Sequence, residues 1–315
     1  MSKLFVENLL LSHDNPMSTC YPLRCDAIIK NTEYDFYNIG EDKQIDTNKY
    51  EVVIFGCRSL YLYKYYKRDT KKVMQKRNLS LLSIKNKFFI IQDMHPKTYG
   101  NIDNMCSFLN SNNINIIFTF FQNNEAIAIR NKTPNVRHFH LPIHIDTSKF
   151  NFMNLEKQYD ILLYGAIHPR HYPFRKRLFE LVRKNEGLFN VHYIEKPASF
   201  DPNLCETGLS KIINMSKICI ATKSRYDYLV GKYFEISLGK TLIAGDIPKD
   251  GLSLFKNRIL ELNNTMTDDD IIEKLVFALK NYDNYTTEIT YLHDYVNKNY
   301  GLDSYVEKLD CILSG

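Results

Sequence analysis

The sequence predicts an α/β chain of two domains, each a parallel sheet covered by helices. Three observations carry that expectation. At 315 residues the chain exceeds what one hydrophobic core of ordinary size comfortably fills. Short apolar runs alternate with amphipathic stretches along most of its length, the order a wound parallel sheet requires. One stretch shows the repeating unit clearly. Ile218 to Ala221 is an apolar run, Tyr228 to Leu238 has helical periodicity ended by Gly239, and Thr241 to Ala244 is a second apolar run.

Composition narrows the class. The hydrophobic share is 44%, and no apolar run approaches the ~20 residues needed to cross a bilayer. The first residues, MSKLFVENLLLSHDNP, lack the basic region, apolar core and cleavage site of an export signal. A cytoplasmic location is expected. The seven cysteines are scattered without a C-x-x-C pair, which supports neither a disulfide framework nor a zinc ribbon. A net charge of +5 suffices for handling anionic nucleotides and does not favour nucleic acid as a partner.

The first fifty residues offer only the short apolar pieces LFVENLLL and DAIIKN, punctuated by Asn15-Pro16 and Tyr21-Pro22. EVVIFG is a buried-strand candidate ending at Gly56. The basic, tyrosine-rich stretch after it, SLYLYKYYKRDTKKVMQKR, reads as a solvated helix face, with peripheral contact to an anionic membrane left open. KFFIIQDMHP and INIIFTFF are the next strand candidates. The former places Asp93 and His95 just past its carboxyl end, where either could take a proton from a hydroxyl. Asp93 could equally cap a turn before Pro96.

His138, His140 and His144 crowd the segment NVRHFHLPIHID. No Cys or Glu stands at a ligand spacing beside them, and alternation along a strand accounts for the first two, so no metal is assigned. The boundary is placed here, giving domains 1–143 and 144–315. Beyond it YDILLYG is a strand ending at Gly165, and Phe174 to Lys184 is an amphipathic helix with Leu178, Leu181 and Val182 on its apolar side. Between them a turn carries Arg170 and leads to Arg175. A guanidinium fork suits a diphosphate, and a solvated helix residue is the plainer alternative. FNVHYIEKP, GLSKIINMS and DDDIIEKLVFALKN continue the alternation, the last acid-capped at its start.

In the stretch TKSRYDYLVGKYFEISLG, Lys223 and the start of the helix expected at Tyr228 lie where strand ends gather ligands. Asp227 and Glu235 are separated by seven residues. Each has a plain alternative, Asp227 as a helix N-cap and Glu235 as a surface helix residue.

Three blocks resemble the glycosyltransferases of the B-type fold, above all the family-one and CgeB-like groups. They are the connector containing Leu141, Pro142, Ile145 and Asp146, the turn with Tyr172, Pro173 and Arg175, and YFEISLGKTLIAGDIP. The resemblance implies two Rossmann-like domains facing a cleft, with the C-terminal helix returning to the first domain. The first domain would serve the acceptor and the second the nucleotide sugar. It implies transfer of a sugar from a nucleoside diphosphate donor to an acceptor hydroxyl on a glycan, protein or small molecule, without a metal or other cofactor. Glu235 would bind the ribose hydroxyls and Asp227, standing where Glu is usual, would meet the transferred sugar as in retaining members. Gly165, Arg170, Arg175, Lys223 and the N–H groups at Tyr228 would hold the donor, while Asp93 and His95 would face the acceptor. A sugar-nucleotide epimerase of the same build and an inactive nucleotide-binding module are the competing expectations.

Overall fold

A computed structural model of the chain describes residues 2–7, 20–39, 45–56, 80–91, 102–194 and 207–314. The basic, tyrosine-rich stretch and the pair Asp93 and His95 lie outside the described residues. The chain divides into two compact units, Met1–Pro142 with Tyr305–Gly315, and Ile143–Ser304. The expected second domain thus loses its end, because the residues from Tyr305 onward group with the first unit.

The first unit holds strands β1 (Lys3–Glu7), β2 (Asp35–Asn38), β3 (Val52–Phe55), β4 (Asn86–Ile91), β5 (Ile116–Thr119) and β6 (Arg137–His140). They form one parallel sheet in the order β2-β1-β3-β4-β5-β6. Helices α1 (Cys20–Asn31), α2 (Ile102–Ser111) and α3 (Asn124–Lys132) connect them. Near-continuous apolar runs such as VVIF are what strands buried on both faces require. Phe55 stacks on Phe89 at 4.5 Å, and Met105 and Leu109 of α2 close over the same core. Each such side chain contributes ~1.5–3 kcal/mol on burial. The histidines of β6 are held by the fold: Thr133 Oγ1 lies 2.9 Å from Nε2 of His138, and the carbonyl of Phe120 lies 3.1 Å from Nε2 of His140.

The second unit holds β7 (Tyr159–Tyr164), α4 (Pro173–Lys184), β8 (Val191–Ile194), α5 (Thr207–Asn214), β9 (Ser216–Ile220), α6 (Lys232–Leu238), β10 (Leu242–Gly245), α7 (Leu252–Phe255), β11 (Leu260–Glu261), α8 (Asp268–Lys280) and α9 (Thr286–Asn299). Its sheet is parallel and runs β11-β10-β9-β7-β8. Alternation along β7 sends Ile161 and Leu163 into a core shared with Leu178 and Val182 of α4 and Leu275 of α8. Leu162 and Tyr164 alternate with them and therefore point to the opposite face, that of α6. Thr267 and Asp270 form a reciprocal capping box at the start of α8, worth ~1 kcal/mol. The last helix, α10 (Leu302–Ser314), is tied within the first unit by Asp310, which bonds the Tyr34 hydroxyl and lies 3.5 Å from Lys3 Nζ.

Two features of the second sheet position the site. Its first strand in sequence, β7, sits between the second and the third, so the crossovers to β8 and to β9 leave in opposite directions. The crevice opened at such a switch point, beyond the carboxyl ends of β7 and β9, is where ligands bind in open α/β sheets. At the end of β10, Gly245 has φ 153°, and a Cβ there would stand 1.6 Å from the carbonyl oxygen of Ala221. Only glycine permits that approach.

One expected element is corrected. The helix anticipated from Tyr228 starts at Lys232 and has 7 residues, with Gly231 at its N-cap. Asp227 adopts φ 60°, which interrupts a right-handed path. Tyr228 and Leu229 are buried in the connection, so their apolar spacing serves loop packing instead of a helix. The N–H groups of a helix starting at Tyr228 are consequently not available as an anion site, and Asp227 is not the N-cap of α6; its Oδ2 accepts from Lys249 N–H at 3.4 Å.

Candidate functional site

The loop leaving β7 and the loop leaving β9 meet at the switch point. Arg225 N–H donates to the carbonyl of His171 at 2.8 Å, and Arg225 Nη1 lies 3.4 Å from the carbonyl of Arg170. The structure brings Gly165, Arg175 and Glu235 into one group, Lys223 and Asp227 into another, and leaves Arg170 on the exposed loop beside Arg225; Tyr228 is buried and stacked on Tyr226 at 5.6 Å.

Arg175 stands in the first turn of α4, whose Pro173 pre-sets the helical φ. It is 3% exposed. Nε donates to Thr222 Oγ1 (3.2 Å), Nη2 to the Thr222 carbonyl (2.9 Å) and Nη1 to the Ala166 carbonyl (3.1 Å), while Cζ lies 4.0 Å from the centre of the Tyr172 ring. The guanidinium thus clamps the two loops together, and the plainer reading of a solvated helix residue does not hold. These three bonds occupy three of the five N–H donors that a guanidinium carries.

Beside it lies a charged residue that the sequence reading passed over. Lys232 is 7% exposed. Its ammonium donates to the carbonyl of Tyr164 and sits 3.7 Å over the same tyrosine's ring. Burial, then the neighbouring Arg175 charge, hold its pKa well below the usual lysine range, with Glu235 opposing. Lys232 and Glu235 are three apart on α6 and share one face, a signal present in the sequence. The Tyr164 hydroxyl donates to Oε2 of Glu235 at 2.9 Å. Burial raises the Glu235 carboxyl, and the Tyr164 bond, Lys232 and Arg175 pull it back. Gly165 makes this assembly sterically feasible. It has φ 87°, and an added Cβ would meet Lys232 Nζ at 3.0 Å and Arg175 Nη1 at 3.6 Å.

A second group lies at the ends of β9 and β10. Lys223 Nζ pairs with Asp227 Oδ1 at 2.9 Å, and Lys223 N–H donates to Asp246 Oδ1 at 2.9 Å. The left-handed backbone of Asp227 costs on the order of 1–3 kcal/mol. Asp246 was also missed. Desolvation pushes its carboxyl up to about 6, against the opposing bond and charge of Lys223.

A pH dependence follows. Asp246 has a folded pKa above the unfolded 3.8, so its contribution to stability is complete below the unfolded value and is lost as pH rises through the folded one. Asp246→Asn keeps the acceptor for Lys223 N–H and removes the cost of ionisation. The variant is expected to melt above wild type at pH 7.5, with the difference shrinking toward pH 4; a constant difference across that range would show that the ionisation of Asp246 is not its cause.

Among the described residues no group of three or more His, Cys, Asp or Glu side chains could hold a metal ion, and no helix is long and apolar enough to cross a membrane.

No protein-family model matches the chain, and no curated protein matches it. Solved structures do. Sucrose-phosphate synthase from Thermosynechococcus elongatus aligns over 100% of this chain and 98% of its own at 10% identity and TM-score 0.62. HepE of Anabaena, solved in complex with UDP, aligns over 100% of both chains at 7% identity and TM-score 0.63. An alpha-glucosyltransferase in complex with UDP-glucose and DNA containing an abasic site aligns over 99% of both at 9% identity and TM-score 0.61. At such identities the likeness is one of fold, and the fold it shows is that of the B-type glycosyltransferases.

Proposed function

We propose that the chain is a glycosyltransferase that holds a nucleoside diphosphate sugar at the switch point of its second unit and passes the sugar to an acceptor hydroxyl. The observation that carries this reading is the convergence of Arg175, Lys232 and Glu235 around Gly165, in the crevice between β7 and β9. Two buried basic side chains face one carboxylate there, and an anion arriving beside them would offset the burial that disfavours the charge on Lys232. Structural neighbours solved with UDP or UDP-glucose, HepE among them, support a nucleotide sugar as that anion.

When the bond from the sugar to the β-phosphate breaks, negative charge develops on the leaving diphosphate. Donors fixed in advance and shielded from water stabilise that charge best. We assign this work to Lys232 and to the N–H groups of Arg175 left over from its clamp, with Lys223 and Arg170 on the more open side. An arriving diphosphate favours the ammonium form of Lys232, reversing the effect of burial. We assign Glu235 to the ribose hydroxyls and Asp227 to the transferred sugar, the arrangement that a retaining enzyme would use. Asp93 or His95 would receive the acceptor's proton. The chemistry needs no metal if these cations carry the charge.

A coupled assay for UDP release from UDP-glucose, run with and without a panel of sugar, protein and small-molecule acceptors, tests the reading. Release that requires an acceptor is expected. Release without one would indicate a hydrolysing epimerase or plain donor hydrolysis, and UDP binding without turnover would indicate a binding module.

A further inference from the structure

We propose that Tyr164 is the positioning residue of the donor site, a single residue whose carbonyl, ring and hydroxyl fix both Lys232 and Glu235 in the orientation a nucleoside diphosphate needs. The inference rests on the donor-site reading above and adds to it the residue that organises the pair.

Tyr164 is the last residue of β7, and strand alternation turns it toward α6 and away from the core that Ile161 and Leu163 enter. It is 5% exposed. Three parts of the residue act on α6. Its carbonyl accepts from the Lys232 ammonium, its ring lies 3.7 Å beneath the same ammonium, and its hydroxyl donates to Glu235 Oε2 at 2.9 Å. That one bond holds the carboxylate in place and leaves acceptor capacity on its oxygens for the ribose hydroxyls. Gly165, the next residue, supplies the space in which Lys232 and Arg175 approach. A tyrosine used only as core would need one partner for its hydroxyl; this one engages both charged residues on one face of a short helix.

The hydroxyl also affects protonation. The charged groups facing Glu235 are Lys232 on α6 and Arg175 on α4, with the Tyr164 hydroxyl from β7, and all three favour the carboxylate against its burial. Cys219 of β9 is the further titratable group that acts on Lys232. Removing the hydroxyl therefore moves the protonation of Glu235 to higher pH.

The test is calorimetric titration of UDP and of 2′,3′-dideoxy-UDP into wild type, Tyr164→Phe, Glu235→Ala and the double variant, between pH 5 and 8. Tyr164→Phe keeps the ring and the carbonyl, so the fold should survive, and a melting curve confirms it. We expect it to weaken UDP about fivefold to tenfold and the dideoxy analogue less than twofold. The acid limb of its UDP affinity should move to higher pH, and the double variant should lose no more than Glu235→Ala alone. Equal weakening of both ligands, an unmoved acid limb, or independent losses in the double variant would each overturn the inference. If Glu235→Ala binds UDP as wild type does, the donor-site reading itself fails; if that variant weakens while Tyr164→Phe does not, only the role of Tyr164 fails.

Discussion

Glu235→Ala is expected to weaken UDP binding by at least about tenfold, with Glu235→Gln between it and wild type. The carboxylate is not a surface helix residue of the kind whose replacement changes little: it is half-buried and held by the Tyr164 hydroxyl at 2.9 Å. A charge-assisted bond to a ribose hydroxyl contributes roughly 1.5–3 kcal/mol, and ~1.4 kcal/mol corresponds to one decade. A second effect adds to the first. Glu235 is the carboxylate that supports the charge on Lys232, so its loss lowers the lysine pKa further and weakens the proposed contact to the diphosphate. Glutamine restores an acceptor but not that charge. Titration of UDP at pH 7.5 decides it, and an affinity within twofold of wild type for the Ala variant would remove Glu235 from the site.

Arg175→Ala is expected to destabilise the chain as well as to weaken UDP binding. The position reads on sequence grounds as a residue that meets a diphosphate or as a solvated helix residue, but the structure gives it a further task. Removal strands the Thr222 and Ala166 carbonyls and the Thr222 hydroxyl, all bonded to the guanidinium, and deletes the stack on Tyr172. Unsatisfied buried groups cost ~1–3 kcal/mol each, so a loss of roughly 2–4 kcal/mol is expected after local relaxation. At about 2–4 °C per kcal/mol for units of this size, the melting temperature should fall on the order of 10 °C. Arg175→Lys keeps the charge but not the planar fork, and should recover little stability. Scanning calorimetry with a parallel UDP titration checks this; an unchanged melting temperature would show that the clamp contributes little.

The sheets were legible because buried parallel strands are continuous apolar runs that few other elements imitate. VVIF, KFFII, IIFT, ILLY and LIAG all lie within strands. The turn after Ala221 was not legible. YLVGKYFEISL has helical spacing throughout, yet its first third packs Tyr228 and Leu229 as loop. The left-handed backbone at Asp227 leaves no mark in a spacing pattern. Of the proposed site, Glu235 and Arg175 were singled out by the motif blocks that resemble the B-type glycosyltransferases, on helices that follow β9 and β7. Their partners were harder to see, because Tyr164 and Lys232 have the apolar or amphipathic look of packing residues, and their pairing spans 68 positions of chain. Asp246 was hidden for a related reason: its environment comes from Lys223, on a different strand connection.

The most direct test of the central claim, that a nucleoside diphosphate occupies the crevice between β7 and β9, is amide hydrogen exchange of the whole chain with and without saturating UDP. The account predicts slowed exchange in two segments of the second unit, residues 165–175 and 222–235. No slowing in either segment at saturating UDP, or slowing confined to other parts of the chain, would contradict it.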